Sequence, residues 1–140
     1  MSADYKQLKK LQQSIERLEK YDLDAFVKEA TNEIAQRFYA KVVKRTPVGQ
    51  YPEGSGKVGG TLRRNWRITQ VSPIADGYEV KIINPTEYAM WVNYGHRTRN
   101  HNGWVQGYFF LEKSEIEIEK DMPKIIERKL KAFLMEKLDL

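Results

Sequence analysis

An apolar stripe at helical spacing over residues 23–42 constrains the fold of this chain more than any other feature. Its members recur every three or four residues and are Leu23, Phe26, Val27, Ala30, Ile34, Phe38 and Val42. Such spacing places all of them on one face of an α-helix. Asp22 is suited to cap the N-terminus, and Pro47 disfavours helical geometry in the residue before it. We therefore predict a core helix over residues 22–46.

Two further helices are predicted at the ends of the chain. Near the N-terminus, Leu8, Leu11, Ile15 and Leu18 form a narrow apolar stripe. This helix, within residues 1–21, either folds back on the core helix as a hairpin or extends outward as an arm. Near the C-terminus, the apolar residues at helical spacing are Ile125, Ile126, Leu130, Phe133, Leu134 and Leu138. They predict a helix over residues 108–140 that Pro123 kinks or divides, with Asp121 able to cap the second part.

The middle of the chain has the pattern of a loop followed by a β-hairpin. Five of the nine glycines fall within residues 47–60, which predicts a mobile loop. Beyond it, apolar and polar residues alternate on both sides of the Asp76-Gly77 turn. This alternation predicts an antiparallel hairpin over residues 61–84, with Trp66 in the core.

The segment after the hairpin is predicted to begin as a helix and continue as a loop. Asn84 followed by Pro85 is a helix-start pattern, so residues 85–94 are predicted to form a short helix. We expect Tyr88 and Trp91 on this helix to join the core. Residues 95–107 are predicted as loop, or as loop with a short strand around Trp104. The chain is thus expected to form one α+β domain over residues 1–140. A small antiparallel β-sheet, the hairpin plus a further strand, packs against N-terminal and C-terminal helices.

The net charge of +5 is concentrated in the middle of the chain. Residues 41–107 contain ten basic and four acidic side chains, whereas each end is close to neutral. A basic surface favours an anionic partner, which is either nucleic acid or an acidic protein surface. A solvated face without any partner explains the same charge, so the charge alone leaves three interpretations open.

The composition argues against several classes of function. Cysteine is absent, which excludes disulfides, cysteine-ligated zinc and thiol catalysis. No apolar run approaches the roughly 18 residues of a membrane helix, and no secretory signal is visible, so we expect synthesis in the cytoplasm and no membrane contact. His96 and His101 lie beside arginines and far from any carboxylate, which makes a metal site improbable. No serine lies in a nucleophile-elbow context. We expect no enzyme and no cofactor.

The alternative function is a basic nucleic-acid-binding module. Five arginines, Arg63, Arg64, Arg67, Arg97 and Arg99, stand among Trp66, Tyr94 and Trp104. Such interleaving suits phosphate contacts and base stacking. No helix-turn-helix, RNA-recognition-motif or zinc-finger pattern accompanies them, and aromatic residues at these spacings are also common in cores.

Four sequence pieces in order carry a resemblance to a known family. They are RTPVG at residues 45–49, GGTLRRNWRI at 59–68, GYEVKIINPTEYAMWVNYGHR at 77–97 and GYFFLEKS at 107–114. Over about residues 25–126 the chain resembles bacteriophage tail-component proteins of the head–tail-joining, or tail-completion, type. It departs from their pattern in the extra loop residues 50–59, in Asn93 where glutamate is usual, and in Asn65 where serine is common. The N-terminal stripe lies outside the motifs of the resemblance.

The resemblance implies a non-catalytic structural protein of the virion, located where the tail meets the head. Several copies commonly form a ring there, so the expected partners are other tail and connector proteins and further copies of the chain. DNA contact is expected to be secondary. The candidate protein-contact residues are Arg63, Arg64, Asn93, Tyr94, His96, Arg97 and Arg99. Hydrogen bonding within the subunit is the alternative role for Arg63 and Arg97.

Overall fold

A computed structural model of the protein describes residues 2–18, 20–49, 53–57 and 59–138. The helices are α1 (Ser2–Glu16), α2 (Lys20–Arg45), α3 (Thr61–Arg64), α4 (Ala89–Tyr94) and α5 (Phe110–Lys137). The strands are β1 (Arg67–Ile68), β2 (Ser72–Ile74), β3 (Gly77–Glu79), β4 (Ile82–Ile83), β5 (Gly95–Arg97) and β6 (Trp104–Gln106). The fold is α+β, as the sequence predicts. None of the helices in the described ranges is long and apolar enough to cross a membrane.

The two longest helices, α2 and α5, pack against each other in antiparallel orientation. Ion pairs follow the interface from end to end and join Asp22 to Lys137 (3.4 Å), Glu33 to Lys129 (3.2 Å) and Lys41 to Glu117 (2.8 Å). Between them, the rings of Phe26 and Phe133 lie 5.0 Å apart. The C-terminal helix therefore covers part of the apolar stripe of α2, including Phe26, whereas Leu23 and Val27 are 46% and 44% exposed.

Both long helices differ in detail from the sequence prediction. Helix α2 begins at Lys20, so Asp22 lies in its first turn and is not the N-cap. Helix α5 runs through Pro123 without a break, so Asp121 caps no second segment. Packing against α2 stabilises α5 on both sides of Pro123. This tertiary contact cannot be recognised from the residues next to the proline. Residues 139 and 140 of the predicted helix lie outside the described residues.

Strands β1 to β4 form one antiparallel hairpin that is interrupted in its middle. Arg67 in β1 lies opposite Ile83 in β4, and Ser72 in β2 lies opposite Glu79 in β3. Strand β3 lies against α2. This is the hairpin predicted for residues 61–84, except that its first four residues form the short helix α3.

The core lies where α2, α3, the first hairpin and the start of α5 meet. Its buried side chains are Val42, Leu62, Trp66 and Phe110. The rings of Trp66 and Phe110 meet edge to face, with centroids 5.9 Å apart. The prediction for Trp66 is confirmed. The prediction for Tyr88 and Trp91 is wrong, because these residues are 41% and 63% exposed. Helix α4 turns Ala89 and Val92 toward the core instead.

Helix α1 makes at most marginal contact with the other described elements. Two residues of its apolar stripe, Leu8 and Ile15, are 65% and 51% exposed, whereas Leu11 and Leu18 are half-buried. This arrangement fits the arm alternative better than the hairpin alternative. Within the Gly-rich loop, residues 53–57 are exposed, and residues 50–52 and 58 lie outside the described residues, so its predicted mobility stays a prediction.

Candidate functional site

Thr46 is the centre of a buried hydrogen-bond network that ties the end of α2 to α3. Its Oγ1 accepts a bond from Trp66 Nε1 at 2.7 Å and donates to the carbonyl of Val42 at 2.6 Å. Its own carbonyl accepts from Arg63 Nε at 2.9 Å. Thr46 is completely buried, so these bonds satisfy polar groups that would be costly to leave unpaired. The Thr-Pro and Leu-Arg-x-x-Trp sequence pieces are therefore first of all parts of the core.

The two candidate arginines of α3 are bonded within the subunit. Besides Thr46, Arg63 binds the carbonyl of Lys44 at 3.1 Å through Nη2. A cation on the last carbonyls of a helix stabilises its C-terminus. Arg64, which is exposed, donates to the carbonyl of Gly59 at 2.9 Å. The geometry thus favours the intramolecular role of Arg63 that the sequence left open.

Residues 95–107, predicted mainly as loop, contain a second hairpin built from β5 and β6. The strand expected around Trp104 is β6, and it pairs with β5 rather than with the first hairpin. Gly95 joins α4 to β5 at φ 93°, and a Cβ atom there would lie 2.6 Å from the carbonyl oxygen of Val105. A Cβ at Gly107 would lie 2.4 Å from the carbonyl oxygen of Asn93. Glycine is therefore required at both positions for the hairpin to close against α4.

The tip of the second hairpin is an ordered turn. Thr98 N donates to the carbonyl of Gly103 at 3.0 Å, and Gly103 N donates back to Thr98 Oγ1 at 3.0 Å. Asn100 Oδ1 accepts from Asn102 N at 3.1 Å. His101 has φ 61°, in the left-handed region. These bonds hold Arg99 in a defined turn at the exposed end of the hairpin.

Asn93 anchors the second hairpin to α5. Its side-chain amide donates to the two carboxylate oxygens of Glu112 at 3.1 and 3.0 Å, and its Oδ1 accepts from Leu111 N at 3.2 Å. Its backbone carbonyl accepts from Phe109 N at 2.9 Å. Asn93 is buried, so its side chain supports the fold and is not accessible to a partner, contrary to the contact role expected from the sequence. Its neighbours Tyr94 and Arg97 are exposed.

Aromatic and basic side chains, together with one methionine, lie along α4 and the second hairpin, and all of them are exposed except the half-buried His96. We call this group the hairpin surface, and it comprises Met90, Trp91, Tyr94, His96, Arg97, Arg99 and Trp104. Trp91 and Trp104 are 63% and 59% exposed. The rings of Trp91 and His96 lie 6.2 Å apart, and Arg97 pairs with Trp104 across the strands. His96 Nδ1 is buried without a hydrogen-bond partner in the described part of the chain.

Sequence reasoning placed Tyr94 at the end of the short helix and His96, Arg97 and Arg99 on an accessible loop. In the structure, Tyr94 ends α4, and His96 and Arg97 follow each other in β5, so that their side chains point to opposite faces of the second hairpin. Sequence reasoning missed the exposure of Met90 and Trp91. No local signal distinguishes an exposed tryptophan from a buried one, because both suit an apolar face of a helix. Among the residues that the structure describes, no group of three or more His, Cys, Asp or Glu side chains is placed to hold a metal ion.

Comparison with known families shows to which family the chain belongs. Residues 9–95 match the family described as "Bacteriophage HK97-gp10, putative tail-component". The chain belongs to this phage tail-component family. The matched range begins within α1. It therefore includes most of the N-terminal apolar stripe, which the four sequence pieces of the resemblance do not contain. No curated protein and no solved structure gave a significant match.

The match defines which parts of this tail component belong to the family pattern. Residues 9–95 contain the Thr46 network, the first hairpin and α4. They end at Gly95, before the exposed arginines of the second hairpin. A phage tail component is a virion protein with a structural role and acts through contacts with other phage proteins. The partner of the hairpin surface therefore has to be inferred from the chemistry of the surface itself.

Proposed function

We propose that this tail component is a non-enzymatic protein of the head–tail junction that completes the tail and joins it to the connector. The hairpin surface is the part of the molecule that makes the contact. The observation that carries this proposal is the exposure of Trp91 and Trp104 on two adjoining elements. Exposed aromatic patches on folded proteins are typical of interaction sites, and Trp, Tyr and Arg dominate the binding energy of such interfaces.

The charge of the hairpin surface indicates an acidic partner surface. No aspartate or glutamate occurs between Glu87 and Glu112. Within this stretch, Arg97 and Arg99 are exposed and form no ion pair with the described residues. A guanidinium binds carboxylates in bidentate geometry, so an acidic face on the connector or on a tail protein suits these two side chains. The ring of His96 lies beside that of Trp91, and Tyr94 adds a further exposed side chain on α4.

The proposed assembly is a homo-oligomeric ring at the end of the tail. Each copy in a ring uses two different surface patches, one for each neighbour, and the contact closes by rotation. The ring presents several copies of the hairpin surface to the connector at once. Several weak contacts that must form together give a strong junction without any one contact being tight.

The test of the head–tail role is electron microscopy of an induced lysate from a strain that lacks the gene. Separate full heads and finished tails are the expected result. Tails of abnormal length would place the protein in length termination instead. Normal infectious particles would overturn the structural proposal altogether.

Complementation of that strain tests the hairpin surface. We expect Trp104→Ala and Arg97→Ala to leave the free energy of unfolding nearly unchanged and to fail in joining, because both side chains are exposed. Met135→Ala and Lys124→Ala, exposed positions on α5, are the matched controls and should restore infectious particles. Loss of stability in the Arg97 variant would instead assign that residue to the support of the fold.

A further inference from the structure

An apolar groove lies open between α2, the first hairpin and α5. Its volume is about 610 Å³. The apolar side chains that line it are Ile34, Phe38, Val80, Ile82, Ile118 and Met122. Along α2 the groove extends from Thr31 to Phe38, which corresponds to about 10 Å of helix. A groove of this length, lined by three elements, suits a short helix with one apolar face.

Helix α1 is a helix of this kind, and among the described elements none packs extensively against it. Leu8 and Ile15, the first and third of the four residues in its stripe, are largely exposed. They are seven residues apart, so the stripe between them also measures about 10 Å. The exposed part of the stripe and the open part of the groove therefore match in length.

The apolar stripe of the chain's own α1 would not reach the groove if α1 folded back along α2. Leu8 lies eight residues before Glu16, which ends α1, so it reaches about 12 Å from that end. Thr31, where the groove begins, lies eleven residues beyond Lys20, or about 16 Å along α2. In a back-folded α1, Leu8 and Ile15 would therefore lie beside the part of α2 that precedes the groove, and only the residues before the stripe would reach the groove. The occupant that fits is therefore the α1 helix of another copy.

The charges around the groove complement the charges of α1. Lys6, Lys9 and Lys10 are exposed on α1. The rim of the groove contains Glu79, Glu115 and Glu119. Glu115 and Glu119 are exposed and form no ion pair with any residue in the described ranges. Opposite charges on the two surfaces fix the register of an apolar contact and favour encounter of the correct pair.

We infer that α1 of each copy binds in the groove between α2, the first hairpin and α5 of a second copy. The contact uses two different patches, so it links copies in sequence as a ring requires. This inference rests on the proposed self-association, and it does not depend on which phage protein the hairpin surface meets.

Cross-linking between single-cysteine variants tests the contact directly, because the natural chain contains no cysteine. Leu11 lies near the centre of the stripe and Ala35 near the centre of the groove, so these positions meet whichever way the helix runs. Full-length Leu11→Cys and Ala35→Cys proteins carrying different tags are mixed and treated with a short bismaleimide. A covalent heterodimer on a denaturing gel is the expected result.

Two matched mixtures serve as controls. Gln13→Cys lies on the opposite side of α1 from Leu11, and Met135→Cys lies on α5 outside the groove. The first control mixture combines Gln13→Cys with Ala35→Cys, and the second combines Leu11→Cys with Met135→Cys. Both should give much less heterodimer than the mixture of Leu11→Cys with Ala35→Cys. Equal yields in all mixtures would overturn the inference. Oligomers seen by light scattering without the Leu11–Ala35 product would also overturn it, while leaving self-association and the head–tail role intact.

Substitution of the exposed stripe provides a second, independent measurement. Leu8→Asp combined with Ile15→Asp should leave the unfolding transition of the monomer unchanged, because both side chains are exposed. Self-association, followed by light scattering, should weaken by about tenfold or more. Charge reversal at Lys9 and Lys10 to Glu should weaken it as well, and Glu115→Lys with Glu119→Lys should restore it. Unchanged association in the aspartate variant would overturn the inference.

Discussion

At the scale of single residues, the sequence predicted only in part which tryptophans are buried. Trp66 ends the Leu-Arg-x-x-Trp motif and is buried as expected, against partners as distant along the chain as Thr46 and Phe110. Trp91 has an equally suitable helical position, yet it is exposed. The difference arises from tertiary packing, because the buried side of α4 is used by Ala89 and Val92. Sequence spacing alone does not contain this information.

The Thr46 hydroxyl is expected to stabilise the fold through Trp66. Thr46→Val keeps the shape of the side chain but leaves Trp66 Nε1 without its acceptor inside the core. The free energy of unfolding, measured by urea denaturation, should fall by about 1–3 kcal/mol. Thr31→Val is the matched control, since the Thr31 hydroxyl bonds the carbonyl of Val27 in the same way at an exposed site. Equal losses in both variants would show that Trp66 does not depend on the hydroxyl.

Asn93 marks the limit of prediction for the candidate site. Its amide binds Glu112, nineteen positions away, across the whole of the second hairpin. A polar residue in a polar stretch gives no sign of such a distant partner. An exposed contact was therefore the natural expectation for it, although the residue is buried.

At the scale of elements, the long helices and the first hairpin were predictable from the sequence, whereas the pairing of β5 with β6 was not. Helices α2 and α5 contain enough turns for apolar periodicity to emerge. Strands β5 and β6 have three residues each, which is too few for an alternating pattern. Asn84 likewise suggested a helix start, but its Oδ1 accepts from Thr86 N in a turn, and α4 begins only at Ala89. Local polar turns and helix caps use the same residue types.

The α2–α5 interface should weaken in acid because of Glu117. Its carboxylate accepts hydrogen bonds from Arg45 and Lys41, which lower the pKa of Glu117 from 4.5 to about 2. A lowered pKa in the folded state means that the stabilisation is complete above the unfolded pKa and is lost as pH falls from 4.5 toward 2. Glu117→Gln should therefore reduce the loss of stability between about pH 7 and about pH 3, measured by urea denaturation at low salt.

Glu127→Gln is the control for this prediction, because Glu127 is exposed and forms no ion pair within the described residues. High salt should shrink the difference, since Glu117 itself is partly exposed and the pair is screened. An identical acid response in the Glu117 variant and the natural protein would show that these bonds contribute nothing in solution.

At the scale of the whole molecule, the basic charge is less available to a polyanion than the sequence suggests. Three of the five arginines considered for phosphate contact, Arg63, Arg64 and Arg67, donate to backbone carbonyls of the chain itself. Arg97 and Arg99 remain, at one end of the second hairpin. This distribution suits a small acidic surface better than an extended nucleic-acid backbone.

We therefore expect weak DNA binding at physiological salt, with a shallow salt dependence. Two phosphate contacts correspond to a slope of about −2 in a plot of log affinity against log salt concentration. Fluorescence anisotropy with labelled duplexes of several sequences, at a series of salt concentrations, measures this slope. Tight binding with a slope of about −6 or steeper would favour the nucleic-acid alternative.

The bond between Arg63 and the carbonyl of Thr46 closes the Gly-rich loop at its base. Because the base is fixed, the entropic cost of a longer loop is small, about 0.6 kcal/mol for each doubling of its length. Residues can therefore be added to or removed from this loop without disturbing the core. The same tolerance makes the exposed Gly54-Ser55 bond a suitable place to insert an epitope. An antibody against that epitope would mark the position of the protein in an assembled particle.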